Sequence, residues 1–210
     1  MNTEVVCLKP TLFNAASEIL ANAFNNDPTF RYFAREQEQA RINAIKLLAK
    51  TALRYSQPYN HIYTTTHDLK GVAIWIPPEK FPLNDFRLLQ LGLYALPFKL
   101  RLSRLRQLLS LFLTIEEHHK QDMPEPHWYL FMLGISPTYQ RQGIGSLLLQ
   151  PILNQADQEK LPCYLETSTE GGVRFYQRLG FEVVRTGGIP EENIKFWTMK
   201  RSPQESNYVS

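Results

Sequence analysis

Only two cysteines, Cys7 and Cys163, occur in the 210 residues, and they lie far apart. That leaves no disulfide framework and points to a reducing cytoplasm. Long apolar runs are missing too: stretches such as Leu88 to Phe98 fall well short of the ~20 residues needed to span a bilayer. Met1 to Val6 has neither the basic nor the long apolar region of a secretory leader. Charge of one sign is scarce. With 23 Lys+Arg against 20 Asp+Glu the formal charge is +3, and no basic block suggests a nucleic-acid partner. No repeat or low-complexity block is present except a polar tail, 202–210, expected to be flexible beyond a single domain over 1–201.

What the chain does have is a globular composition, 43% hydrophobic and 12% aromatic. At this length a fold buries roughly 70% of the unfolded surface without help from a metal or partner. Thr3 to Leu8 reads as a strand, and Leu12, Ala15, Ala16, Ile19, Leu20 and Ala23 recur at helical spacing. Asp27 and Pro28 supply an N-cap and a first-turn proline for a second helical region ending near Tyr55. Ile62 to Thr66 and Val72 to Ile76 read as a hairpin. From Pro82 to about Gln121 the period is helical, broken near Pro97. Every charge from Phe86 to Ile115 is basic: Arg87, Lys99, Arg101, Arg104 and Arg106. The last third alternates strand Trp128–Ile135, helix Gly143–Gln158, strand Cys163–Thr167 and helix Gly172–Leu179. It ends in an antiparallel pair, Phe181–Arg185 with Ile194–Met199. The fold class is α+β, a mixed sheet with one parallel crossover.

The informative stretch runs from Gly134 to Ser146, where a buried strand ends at Pro137 and two glycines, Gly143 and Gly145, open a helix. The first N–H groups of a helix have no intrahelical acceptors and the dipole is positive there, so this turn suits an anion, phosphate above all. A P-loop needs lysine after its second glycine, where Ser146 stands; a dinucleotide fingerprint needs a small residue at Leu148. Neither fits.

Gln140-Arg141-Gln142-Gly143-Ile144-Gly145 resembles the Gln/Arg-x-x-Gly-x-Gly/Ala motif of the GNAT superfamily of acetyl-CoA-dependent N-acyltransferases. Tyr164 to Ser168 and Phe175 to Phe181 are similar to that family's next strand and its Tyr-bearing helix. Within the superfamily the likeness is to puromycin N-acetyltransferase-like proteins, through Trp75 to Glu79, His127 to Pro137 and Leu165 to Phe181. Gly172 stands where those families commonly carry Asn. The resemblance implies a mostly antiparallel sheet with a splayed parallel pair, flanked by helices. It implies acetyl-CoA as co-substrate, its diphosphate held by Gln140, Arg141, Gln142, Gly143, Ile144, Gly145 and Ser146, and its pantetheine arm paired with the backbone of Leu133 and Ile135.

Acyl transfer from a thioester to an amine requires a base for the amine and an acid for the leaving thiolate. By position in the family, Tyr176 is the acid. Glu166, on one face with Tyr164, is either the base or a structural partner of an arginine such as Arg174, and His127 is a second relay candidate. Cys163 lacks an activating neighbour, which favours direct transfer over an acyl-enzyme. Glu116-Glu117-His118-His119 lacks the spacing of a zinc helix and reads as a solvated helix end, so no metal is expected. The basic helices over 86–115 read as a cap over an acceptor pocket, with Trp75, Phe30 and Tyr32 as lining candidates; the other reading is a membrane-surface helix, and stable membrane association is not expected. The expected protein is a monomeric or homodimeric N-acetyltransferase acting on a primary amine of a small molecule, with no nucleic-acid partner. The alternative is a non-catalytic acyl-CoA sensor of the same fold.

Overall fold

The computed structural model describes residues 3–33, 38–98, 100–189 and 194–204. Lys99 and residues 205–210 of the expected tail lie outside that set. Of the rest of the tail, the Gln204 backbone N–H donates to Asp157 at 2.8 Å.

β-branched and aromatic residues build the sheet. β1 (Val5–Cys7), β2 (Ile62–Thr65) and β3 (Gly71–Ile76) pair antiparallel in sequence order. All six residues of β3 are buried, because helices cover both faces of the sheet there. β4 (Trp128–Ile135) pairs antiparallel with β3; β5 (Cys163–Thr167) lies parallel to β4; β7 (Ile194–Arg201) and β6 (Glu182–Ile189) complete the order β1-β2-β3-β4-β5-β7-β6.

On one face lie α6 (Ile144–Glu159) and α7 (Glu170–Gln177). They pack Leu148, Leu149, Ile152 and Tyr176 against Trp75, Trp128, Leu130 and Leu165. The other face carries α1 (Phe13–Phe24), α2 (Pro28–Phe33), α3 (Glu38–Ser56), α4 (Asp85–Leu91) and α5 (Leu102–Asp122). Asp27 caps α2 as expected, accepting from Thr29 N–H at 2.9 Å, and its second oxygen accepts from Ser168 at the end of β5.

Several details differ from the sequence reading: β6 runs on to Ile189 and β7 to Arg201, past the expected ends at Arg185 and Met199. α7 begins at Glu170 rather than Gly172, because the Thr169 hydroxyl accepts the Gly172 N–H at 3.0 Å and caps the helix two residues earlier. In α1 the buried stripe is Ala16, Ser17, Leu20 and Ala21, so Leu12 is left 39% exposed.

One irregularity positions the site. Ile74 pairs with Met132 and Trp75 with Leu130, which leaves Phe131 as an extra residue in β4. Such a bulge bends its strand and sharpens the twist. Beyond it β4 leaves β5: their ladder holds only Trp128↔Cys163 and Tyr129↔Tyr164, while β5 stays paired with β7 as far as Thr167. The splay opens between Phe131–Ile135 and Leu165–Thr167, and the β4 backbone groups on that edge lack a strand partner.

Candidate active site

The turn after β4 presents the first N–H groups of α6, which have no intrahelical acceptors. Pro137–Tyr139 forms a 3-10 turn, Arg141 has φ +61°, and Gly143 at φ +78° caps α6 with no side-chain hydrogen bond to the helix end. The left-handed conformation at 143 suits glycine. A Cβ built there meets nothing within 4 Å, so position 143 itself faces open space at the start of α6. Gly145 serves packing instead: its Cβ would lie 3.0 Å from the ring of Phe175 on α7. Gln142 folds back onto Thr138 O at 3.1 Å, and Gln140 donates to Ile135 O at 3.2 Å. Of the two expected strand-pairing positions, Ile135 therefore already has its carbonyl engaged. Gly172 has no room for a side chain: a Cβ would sit 2.2 Å from Thr167 Oγ1.

At the mouth of the splay stands Glu166, its side chain 11% exposed. Oε2 accepts from Tyr129 OH at 2.9 Å. Oε1 lies 3.3 Å from His119 Nδ1 and has no hydrogen-bond donor among the described residues. His119 is buried between the rings of Phe81, 3.6 Å away, and Tyr164, 4.0 Å away. Its Nε2 lies 2.7 Å from His127 Nε2, and His127 Nδ1 lies 2.6 Å from Glu125 O. Burial, reinforced by His119, lowers the His127 pKa to about 4 against the pull of the Glu125 carbonyl. Burial and the adjacent Glu166 raise the Tyr129 phenol well above its ordinary value.

Tyr176 lies on the opposite face of β5. Its ring packs against Phe175 and Phe181 in the cluster that holds Leu165, and its hydroxyl bonds no described residue. Burial raises the phenol well above its ordinary range, which keeps it protonated. Cys163 is buried and its thiol is pushed up to about 12 by desolvation, so it holds no thiolate to act as a nucleophile.

The structure thus joins Glu166 and His127 in one cluster and leaves Tyr176 across the strand. Several expectations are corrected. Arg174 pairs with Glu170 at 3.5 Å, leaving Glu166 to His119 and Tyr129. The end of α5 is not a solvated cluster, for His119 is 1% exposed. Trp75 lies in the core on the α6 face, away from α5. Phe30 lines a small cavity with Arg41, Leu100 and Leu108, and Tyr32 is buried in the adjoining cluster. His119 and Tyr129 were missed. His119 did carry a signal, since it continues the stripe Leu105, Leu108, Phe112, Ile115 along α5.

Residues 111–181 match the Acetyltransferase (GNAT) family. An uncharacterized N-acetyltransferase of Schizosaccharomyces pombe is 26% identical over 187 residues, spanning 87% of this chain and 76% of the relative. The chain carries a GNAT acetyltransferase domain. The crystal structure of a histone acetyltransferase HPA2 and related acetyltransferase from Corynebacterium glutamicum shares the fold, with a TM-score of 0.65, 22% identity and 99% of both chains covered. Arylalkylamine N-acetyltransferase 2 from Aedes aegypti superposes with a TM-score of 0.65 at 12% identity, over 97% of this chain and 100% of the other. The GNAT family uses acetyl-CoA as co-substrate. No helix among the described residues is long and apolar enough to cross a membrane.

Proposed function

We propose that this acetyltransferase passes the acetyl group of acetyl-CoA to a primary amine of a small molecule by direct attack in a ternary complex. The observation that carries the reading is the gap between β4 and β5, flanked by an open helix start at Gly143 and by the unpartnered Oε1 of Glu166. The N–H groups from Arg141 to Ser146 take the diphosphate, and Leu133 gives the pantetheine arm its first backbone partner, since Gln140 engages Ile135.

The amine enters neutral and attacks the thioester carbonyl. As the C–N bond forms, Glu166 takes the amine proton; as the C–S bond breaks, Tyr176 protonates the thiolate from the other face of β5. The helices α3, α4 and α5 packed on the Glu166 face support a small amine over a protein. The Aedes aegypti neighbour, named for arylalkylamines, supports the same class. The two cysteines, neither in a disulfide, fit action in a reducing cytoplasm.

Thiol release from acetyl-CoA tests this with phenylethylamine, agmatine, spermidine and a short peptide bearing a free α-amine. Release with one of the small amines above the hydrolysis background is expected. Release with the peptide alone would move the acceptor to proteins, and cofactor binding with no release would make the chain an acyl-CoA sensor.

A further inference from the structure

The two buried histidines form a chain of three polar contacts with a countable number of protons. A carbonyl only accepts, so the 2.6 Å contact with Glu125 O requires the proton of His127 on Nδ1. Neutral His127 then presents a lone pair at Nε2, and the 2.7 Å contact with His119 requires the proton of His119 on Nε2. That leaves His119 Nδ1 bare, facing Glu166 Oε1 across 3.3 Å. Two neutral imidazoles supply two ring protons for three contacts. The shortfall falls on the longest contact, where Oε1 has no donor among the described residues.

We infer that the space between His119 Nδ1 and Glu166 Oε1 is the landing place of the acceptor's proton, with His119 sharing the proton that Glu166 receives and His127 fixing the tautomer that makes this possible. The inference rests on the proposed acetyl transfer to an amine. The amine N–H bond breaks, the proton arrives on Oε1, and the third contact closes. His119 and His127 act as positioning residues, reaching the substrate only through Glu166.

Two further observations favour a proton there. Phe81 and Tyr164 stack on the two sides of His119, tilted 19° and 25° from its plane, an aromatic sandwich that favours a cationic ring. The neighbouring carboxylates are already neutralised: Glu116 on α5 by Lys120, Asp122 on α5 by Arg185 of β6, and Glu125 by Lys200 of β7. Among the described residues Glu166 has no lysine or arginine partner. The phenols that face it, Tyr129 of β4 and Tyr164 of β5, are both held protonated by burial.

Nitrogen-detected NMR of the full chain with ¹⁵N-labelled histidine reads the tautomers without any substrate. At pH 8 the expected pattern is Nε2–H with bare Nδ1 for His119 and Nδ1–H for His127. A protonated Nδ1 on neutral His119 would overturn the inference. Kinetics with the amine turned over in the thiol-release panel complete the test. His119→Phe, which keeps a stacking ring, should lower kcat about 100-fold. It should also shift the acid limb of the pH–rate profile while leaving KM for acetyl-CoA within twofold; His119→Gln guards against a packing artefact. Near wild-type kcat with an unmoved acid limb in both variants sinks this inference alone, whereas a wild-type chain that releases no thiol sinks the underlying reading.

Discussion

Tyr176 and His127 are both buried, and burial pushes their titrations in opposite directions. A phenol loses by ionising in an apolar site, so Tyr176 stays protonated through the alkaline range and remains a proton donor there. Tyr176→Phe should lower kcat by about 100-fold and leave acetyl-CoA affinity within twofold, a split that steady-state kinetics beside calorimetry resolves. An unchanged kcat would remove the residue from its role. An imidazole loses by becoming charged, and His127 falls from 6.5 to about 4. Its folded pKa lies below the unfolded one, so its contribution to stability is complete above about pH 6.5 and declines as pH drops from there towards 4. The gap amounts to at most about 3 kcal/mol. Urea unfolding at pH 7 and pH 4.5 should show a larger loss for the wild type than for His127→Gln. The remaining slope belongs in part to His61, which burial also lowers. Equal losses would show that His127 is solvated in the folded state.

At the scale of elements, the turn from β4 into α6 was legible because its chemistry is local. A strand end, Pro137 and the glycine at 143 specify a helix start with free amides wherever the rest of the chain goes. Gly143→Val places a β-branched residue at φ +78°, which costs about 1–2 kcal/mol in that conformation. It also sets methyl groups in the open space at the start of α6. Coenzyme A affinity should fall at least tenfold by calorimetry, beyond what the lowered unfolding midpoint explains; unchanged affinity would place the diphosphate elsewhere. The end of α5 was not legible in the same way. Its Glu-Glu-His-His run has the composition of a solvated end. The stripe of Leu105, Leu108, Phe112 and Ile115 places His119 on the inward face against that composition, and Asp122, accepting from Thr198 of β7 and Arg185 of β6, holds this end of the helix on the sheet. The capping of α7 by Thr169 was a local signal outweighed by the glycines that follow it.

Across the whole molecule, the element order and the single parallel crossover could be read from the sequence, whereas the bulge at Phe131 could not, since Leu130-Phe131-Met132 is an unbroken apolar run with no turn residue to mark it. The bulge has a mechanical consequence. It divides the sheet into a four-stranded part, β1 to β4, and a three-stranded part, β5, β7 and β6, joined in the ladder by two residue pairs. A pantetheine arm lying in the gap would bond the free edge of β4, so ligand binding should be felt in the strands as well as at the turn. Hydrogen exchange separates these regions: a diphosphate alone, supplied as ADP, should protect amides near 141–146, while acetyl-CoA should also slow exchange over 131–133. At 100 times its dissociation constant acetyl-CoA should add about 2.7 kcal/mol. For a chain of this size that corresponds to a rise of roughly 5–10 °C in unfolding midpoint. Protection confined to the turn, with acetyl-CoA no better than ADP, would mean that the splay is a feature of packing and that the thioester is held outside it.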